Sequence, residues 1–189
     1  MENLKIKNKD SFLEINPSNI LLGFFLYKKK FLFPRIFLIE KKFKKSQIYY
    51  YLKTPNISVM IATIKDKYLV VSQKRIPINK ITYEFPGGII DKGSNPIDSA
   101  LNELFEETGY KCIGKPIRLL SLYPDPGRLD CKYYSFYSNQ IVRVNKPEKG
   151  IKLHLLTKKQ ILLLIKKNKF HNACHVANFF SHLNRVENT

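Results

Sequence analysis

The stretch GGIIDKGSNPIDSALNELFEETGY, residues 87–110, decides how the rest of the chain is read. Two adjacent glycines at its head let another group approach the backbone closely. Asn95 is a good N-cap, Pro96 suits the first helical position, and Asp98 completes an arrangement like a capping box. Ile97, Ala100, Leu101, Leu104 and Thr108 recur at helical spacing and form a stripe to be buried. Gly109 stands where a left-handed residue ends the helix. Glu103, Glu106 and Glu107 are expected opposite that stripe, over an arc of roughly 100°. Like charges one turn apart weaken a helix. Two readings follow: a solvated face, or a site for a hard divalent cation that wants carboxylate oxygens. The glycine loop before the helix, open to an anion, favours the second.

Upstream, ISVMIATI (57–64) and YLVVSQKR (68–75) read as a hairpin turning at Lys65–Lys67 around Asp66, and ITYEFPGG (81–88) ends a strand at a proline and two glycines. Residues 18–53 read as short strands, NILLGFFLY (19–27), FLFPRIFLIE (31–40) and SQIYYYLK (46–53), separated by lysine runs. Downstream come strands PIRLLSLY (116–123), CKYYSFYS (131–138) and GIKLHLL (150–156). Thr157 caps a helix over 158–167, and a last helix runs through ACHVANFFSHL (173–183), with Val176, Phe179, Phe180 and Leu183 inward. The order predicts an α+β fold.

Composition bounds the rest. Of 189 residues, 44% are hydrophobic and 13% aromatic, enough for a core in spite of a net charge of +18. No stretch reaches the ~20 apolar residues of a membrane span, and the charged start MENLKIKNKD lacks a signal-peptide core. Cys112, Cys131 and Cys174 are odd in number and form no CxxC pair, as suits a reducing, cytoplasmic setting. The lysine clusters at 28–30, 41–45 and 166–169 read either as solvated faces or as a field that draws polyanions, RNA among them. No RNA-binding signature accompanies them. His171 and His175 of FHNACH could formally hold a soft metal with Cys174, but no adjacent Glu or second pair supports it, and the segment reads as a packing helix. No G-x-S-x-G elbow is present.

Residues 87–110 resemble the Nudix box, G-x5-E-x7-R-E-U-x-E-E-x-G-U with U apolar or aromatic, through Gly88, Glu103, Leu104, Glu106, Glu107, Gly109 and Tyr110. Two positions depart from it: Ser94 replaces the first Glu and Asn102 the Arg, a pair that braces loop to helix in the family. Losing both partners leaves no unpaired charge behind. The flanks resemble the ADP-ribose and ADP-sugar pyrophosphatase subgroup. Gln73, Arg75, Glu84, Pro86, Gly87 and Gly88 follow its Q-x-R strand end and E-x-P-[AG]-G loop, and YPDPGRLDC (123–131) its Pro-Gly element.

The resemblance implies a Nudix α/β/α sandwich over residues 55–189 and an N-terminal antiparallel β arm over 1–54 that serves a homodimer. It implies Mg²⁺, or Mn²⁺, held by the Gly87 carbonyl, Glu103 and Glu107 with help from Glu106. Arg75, Glu84, Gly88, Pro126 and Gly127 would meet the substrate, and Glu148 of the loop NKPEKG would be the further catalytic carboxylate. Phe24, Phe25, Tyr27 or Tyr49–Tyr51 would stack on the base. The implied reaction is hydrolysis of the diphosphate of ADP-ribose or a related nucleotide sugar, giving AMP and a sugar phosphate. Two alternatives are a module that binds such a nucleotide without cleaving it and an RNA-associated protein of the same family.

Overall fold

The computed structural model describes residues 27–33, 35–43 and 47–187. In chain order it comprises β1 (Tyr27–Phe33), β2 (Ile36–Phe43), β3 (Gln47–Lys53), β4 (Ile57–Ile64), β5 (Lys67–Arg75), a 3₁₀ turn (Ile76–Ile78), β6 (Lys80–Glu84), β7 (Gly87–Ile89), α1 (Pro96–Thr108), β8 (Tyr110–Cys112), β9 (Ile117–Leu122), β10 (Leu129–Asp130), β11 (Tyr133–Ser138), β12 (Ile141–Arg143), β13 (Lys152–Thr157), α2 (Lys158–Lys166) and α3 (Ala173–Glu187). Contacts divide it into two compact units. One holds the described residues up to Pro55 together with Asp125–Cys131; the other holds Asn56–Pro124 and the residues from Lys132 onward.

The first unit is a four-stranded sheet in the order β1-β2-β3-β10, antiparallel except where β10 runs parallel to β3. Much of the lysine runs lies inside its strands and not between them, and Lys44 and Lys45 lie outside the described residues. Lys28, Lys29 and Lys30 lie within β1 opposite Glu40, Ile39 and Leu38, and Lys41 and Lys42 lie within β2 opposite Tyr49 and Ile48. The ladder is made by backbone groups, so lysines can occupy it wherever their side chains reach water. FLFPRIFLIE is a hairpin and not one strand: β1 stops at Phe33, β2 resumes at Ile36, and Arg35 between them has φ +69°. A proline offers no N–H to a ladder. Of NILLGFFLY, only Tyr27 belongs to the described residues.

The second unit is built on a mixed sheet in the order β13-β5-β4-β11-β9, with β6 added to β5 and β7 to β4. β8 and β12 form a separate ribbon. β4 and β11 run parallel, Val59 opposite Ser135 and Ile61 opposite Tyr137. Side chains alternate across a strand, so each strand feeds both faces. On one face Met60, Ala62, Leu69 and Phe136 meet Ala100 and Leu104 of α1, all buried. On the other, Tyr68, Tyr133 and Tyr137 lie against Phe179, His175 and His182 of α3. Helices on both faces of one sheet give an α/β/α sandwich, an α+β fold.

Asn95 and Gly109 end α1 as the sequence predicts, while the expected capping-box bond from Asp98 does not form among the described residues. The Asn95 side chain accepts from the Ile97 N–H at 3.2 Å, and Gly109, at φ +75°, donates to the Phe105 carbonyl at 2.8 Å. A reciprocal capping box forms at α2, between Thr157 and Gln160. Two orientations differ from expectation. Glu107 is only 6% exposed, so it borders the apolar stripe instead of standing opposite it. Phe180 is exposed, because two consecutive helical residues lie ~100° apart and Phe179 takes the inward place.

Candidate active site

The loop Glu84-Phe85-Pro86-Gly87 carries the strand β6 into β7, and each of its four residues is tied to a different element. Glu84 is buried and accepts both the Nε (2.8 Å) and the Nη2 (2.5 Å) of Arg75 at the end of β5, and it also accepts the Thr82 hydroxyl. Burial pushes the Glu84 carboxyl up, but the hydrogen bonds from Arg75 and Thr82 outweigh it and hold the group below its ordinary value. Phe85 donates its N–H to His175 Nδ1 on α3 at 3.1 Å. The Pro86 carbonyl accepts from the Met60 N–H of β4 at 2.9 Å. Gly87 donates its N–H to Glu107 Oε2 of α1 at 3.0 Å.

Proximity requires glycine at 87, whereas at 88 only the end of the flexible Glu103 side chain stands in the way. A Cβ on Gly87 would come within 2.5 Å of the Ser58 carbonyl oxygen and 2.9 Å of the Val59 Cα, which are backbone atoms that cannot step aside. A Cβ on Gly88 would fall 2.1 Å from Glu103 Oε1. The two glycines are therefore not merely loop: they form β7, paired with Val59 and Ser58 of β4. Glu107 thus meets the first glycine and Glu103 the second, one helical turn apart.

The carboxylates crowd one another. Burial, with Glu103 nearby, pushes Glu107 up to about 7, although the Gly87 N–H and Arg75 pull the other way. Burial also raises Glu103, helped by the charges of Glu106, Glu148 and Asp91. Glu106 is exposed. Glu148 is brought to the same end of α1: its N–H donates to the Glu106 carbonyl at 2.9 Å, and its loop is fastened where Val144 and Asn145 donate to the Gly109 carbonyl. A Cβ on Gly109 would sit 2.2 Å from the Asn145 carbonyl oxygen.

Among the described residues no three His, Cys, Asp or Glu side chains converge as a ready-made cation cage. The donors nevertheless suit Mg²⁺. They are hard oxygens, two of them carboxylates whose titration is raised chiefly by burial. Mg²⁺ commonly takes only one or two protein carboxylates and completes its shell with water and substrate phosphate.

Ser94 and Asn102, where the brace is missing, are both exposed. The loop is held by other means: the Ser58 hydroxyl donates to the Pro96 carbonyl at 2.5 Å, the Ser94 N–H to the Asp91 carbonyl at 3.0 Å, and Asn95 caps the helix. Pro126 and Gly127 belong to the first unit, where the Gly127 carbonyl accepts the Tyr49 hydroxyl. The nearest atom to a Cβ there would be Asp125 Oδ1 at 3.5 Å, an ordinary contact, so nothing among the described residues demands glycine at 127. Of the aromatics proposed for base stacking, Phe24, Phe25 and the Tyr27 ring lie outside what is described; Tyr49 and Tyr50 are exposed, and Tyr51 is half-buried.

Sequence reasoning missed three participants. Thr82 had a signal, since it shares a strand face with Glu84 two residues on. Ser58 and His175 had none, because each is brought in by strand or helix packing across long separations. The histidines do not form a metal pair: His175 is buried and spends Nδ1 on the Phe85 amide.

A family model for the NUDIX domain matches residues 52–174. Over 74 residues the chain is 39% identical to the methanol dehydrogenase activator of Bacillus methanolicus, covering 39% of this chain and 40% of that protein. Over 85 residues it is 33% identical to the ADP-ribose pyrophosphatase of Bacillus subtilis (strain 168), covering 45% of each. The chain thus spans less than half the length of these curated relatives. The crystal structure of an ADP compounds hydrolase superimposes with a TM-score of 0.72 over 86% of this chain and 92% of that one; at 13% identity the likeness is one of fold.

Proposed function

Because the chain belongs to the NUDIX family, we propose that it is a divalent-metal-dependent pyrophosphatase, cleaving the diphosphate of ADP-ribose or a related nucleoside-diphosphate sugar to AMP and a sugar phosphate. The observation that carries the reading is the pair Glu103 and Glu107, set against Gly88 and the Gly87 N–H, with the loop braced although Ser94 and Asn102 replace the usual ion pair.

In this reading the Gly87 carbonyl, Glu103 and Glu107 hold Mg²⁺ or Mn²⁺, with Glu106 at the rim. When bound, such an ion neutralises charge on the diphosphate and lowers the pKa of the attacking water. Glu148, carried to the end of α1 by its loop, accepts the proton of that water as its oxygen bonds to one phosphorus and the bridging oxygen leaves with the other. Arg75 has two nitrogens committed to Glu84, so it fixes the loop and offers only its outer edge to a phosphate. Glu84, buried and fully engaged, braces the loop instead of touching substrate. The N-terminal arm joins two copies; a monomer by light scattering refutes that statement.

The test is AMP release from ADP-ribose with Mg²⁺, with Glu107→Gln alongside. Turnover in the parent and a loss of at least ~100-fold in the variant are expected. Saturable ADP-ribose binding without AMP assigns the chain to the non-cleaving reading. RNA binding that collapses between low and moderate salt, in the absence of nucleotide binding, favours a role on RNA.

A further inference from the structure

We propose that His175 is a positioning residue of this site: from the first turn of α3 its imidazole fastens the Phe85 amide, and through it the loop on which Glu107 is held. The proposal rests on the pyrophosphatase reading only for its kinetic consequence; the positioning itself is read without substrate.

One edge of β6 pairs with β5, Glu84 standing opposite Val71 and Thr82 opposite Gln73. Backbone N–H groups alternate between the two edges of a strand. Those of Tyr83 and Phe85 share the other edge, where no further strand lies among the described residues. The segment between α2 and α3 and the first turn of α3 supply acceptors in place of one. Tyr83 donates to the Lys169 carbonyl at 3.1 Å, and Phe85, two residues on, donates to His175 Nδ1. A side-chain nitrogen thus stands where a neighbouring strand would present a carbonyl. Phe85 is 1% exposed, so without His175 its N–H would be buried and unpaired, a costly state.

The imidazole is itself held firmly. Asn172 Oδ1 accepts the N–H groups of Cys174 (3.1 Å) and His175 (3.3 Å), and Asn172 Nδ2 donates to the Tyr133 hydroxyl at 3.2 Å. The ring lies at 29° to Phe85, with centroids 6.2 Å apart, and meets Tyr133 edge-on at 6.0 Å. Because a backbone N–H can only donate, Nδ1 must keep its lone pair and the proton sits on Nε2. Phe85 also touches Phe170 and Phe179. Two residues after Phe85, Gly87 makes its bond to Glu107. A loop freed at Phe85 is freed beside the carboxylate that it orients.

The variants are His175→Leu, which keeps bulk but removes the acceptor, and His175→Asn, whose Oδ1 can stand in for Nδ1. Amide hydrogen exchange over residues 85–87 and steady-state AMP release from ADP-ribose with Mg²⁺ are measured on both. His175→Leu is expected to lose protection at Phe85 and Gly87 by tenfold or more and to lower kcat by ~10–100-fold with little change in KM. His175→Asn is expected to restore both. A residue that merely stabilises the fold would lower the melting temperature of both variants and leave kcat of the folded protein untouched; that outcome overturns the proposal. If the parent releases no AMP, the pyrophosphatase reading fails, and exchange at 85–87 alone decides the positioning. If His175→Leu does not fold, the unaltered protein still answers by NMR. A scalar coupling from the Phe85 amide to an unprotonated Nδ1 supports the bond, and a protonated Nδ1 refutes it.

Discussion

The two faces of the central sheet are covered by helices of opposite character. Under α1 the contact is dry: Ala100 and Leu104 close over Met60, Ala62, Leu69 and Phe136 without a polar atom among those side chains. Under α3 it is polar and aromatic, with His175, Asn178 and His182 all buried among Tyr68, Tyr133, Tyr137 and Phe179. Both faces are buried, so the difference is not in burial but in what burial is used for. Apolar contacts are non-directional and supply free energy, ~1.5–3 kcal/mol for a fully buried leucine. Polar contacts supply little net energy but fix direction. His175 aims the loop amide, and His182 Nε2 meets the Tyr68 hydroxyl at 3.2 Å. One helix holds the sheet together, and the other sets its edge.

The sharpest test of that contrast is Leu104→Ala. Leu104 is fully buried at the centre of the dry face, and its truncation is expected to cost ~2–5 kcal/mol, read as a lowered urea midpoint. A loss below ~1 kcal/mol would mean that the dry face is not the main source of stability.

The faces should also titrate in opposite directions. Burial depresses His175 from 6.5 to about 4, so between those values the unfolded chain binds the proton and the folded chain does not. Stability from this group is therefore lost as pH falls from about 6.5. Glu107 is raised from 4.5 to about 7, so there the folded chain keeps a proton that the unfolded chain releases, and stability is lost as pH rises through that window. Each is on the order of 3 kcal/mol at 1.36 kcal/mol per unit. They should nearly cancel in the parent measured in chelator between pH 5 and 7. Glu107→Gln should uncover a stability that rises with pH, and His175→Asn one that falls. Parallel pH profiles for the two variants would refute the opposition.

The smallest effect is expected at Asn178. Its Oδ1 and Nδ2 are buried without a hydrogen-bond partner, as is Ser135 Oγ. Ser135 lies between Tyr133 and Tyr137 on their side of β11, and these tyrosines meet His175 and His182, the residues that flank Asn178 on α3. Asn178→Leu should be neutral or stabilise by ~1 kcal/mol in thermal melts, since it removes unpaired polar atoms. A clear loss of stability would show that an ordered water satisfies this layer.

The same contrast explains what could be read in advance. The α1 face is periodic and local: the stripe Ile97 to Thr108, the cap at Asn95 and the left-handed Gly109 all announce themselves between residues 95 and 109, and the carboxylates ride on that helix. The resemblance at 87–110 located the loop they face. The α3 face has no such pattern. A histidine chosen to accept one amide looks like any other inward helical residue until the strand edge it meets is known. The strands β1 and β2 were obscured for a related reason: lysine suggests solvent, whereas a ladder is satisfied by backbone whatever its side chains are. Gly87 and Gly88 read as loop because the close approach of Gly87 to β4 depends on its having no side chain at all.

The bond between Phe85 and His175 joins residues 90 positions apart, and this gives the site a history as well as a shape. At ~5–20 residues per second of synthesis, the ribosome needs roughly 5–18 s to travel from the loop to its last acceptor. During that interval Glu103 and Glu107 already exist on a completed helix, but the loop before them lacks one of its four fastenings. A nascent or truncated chain ending before Asn172 would therefore carry the carboxylates without the means to aim the loop, and full competence would come only with the final helix.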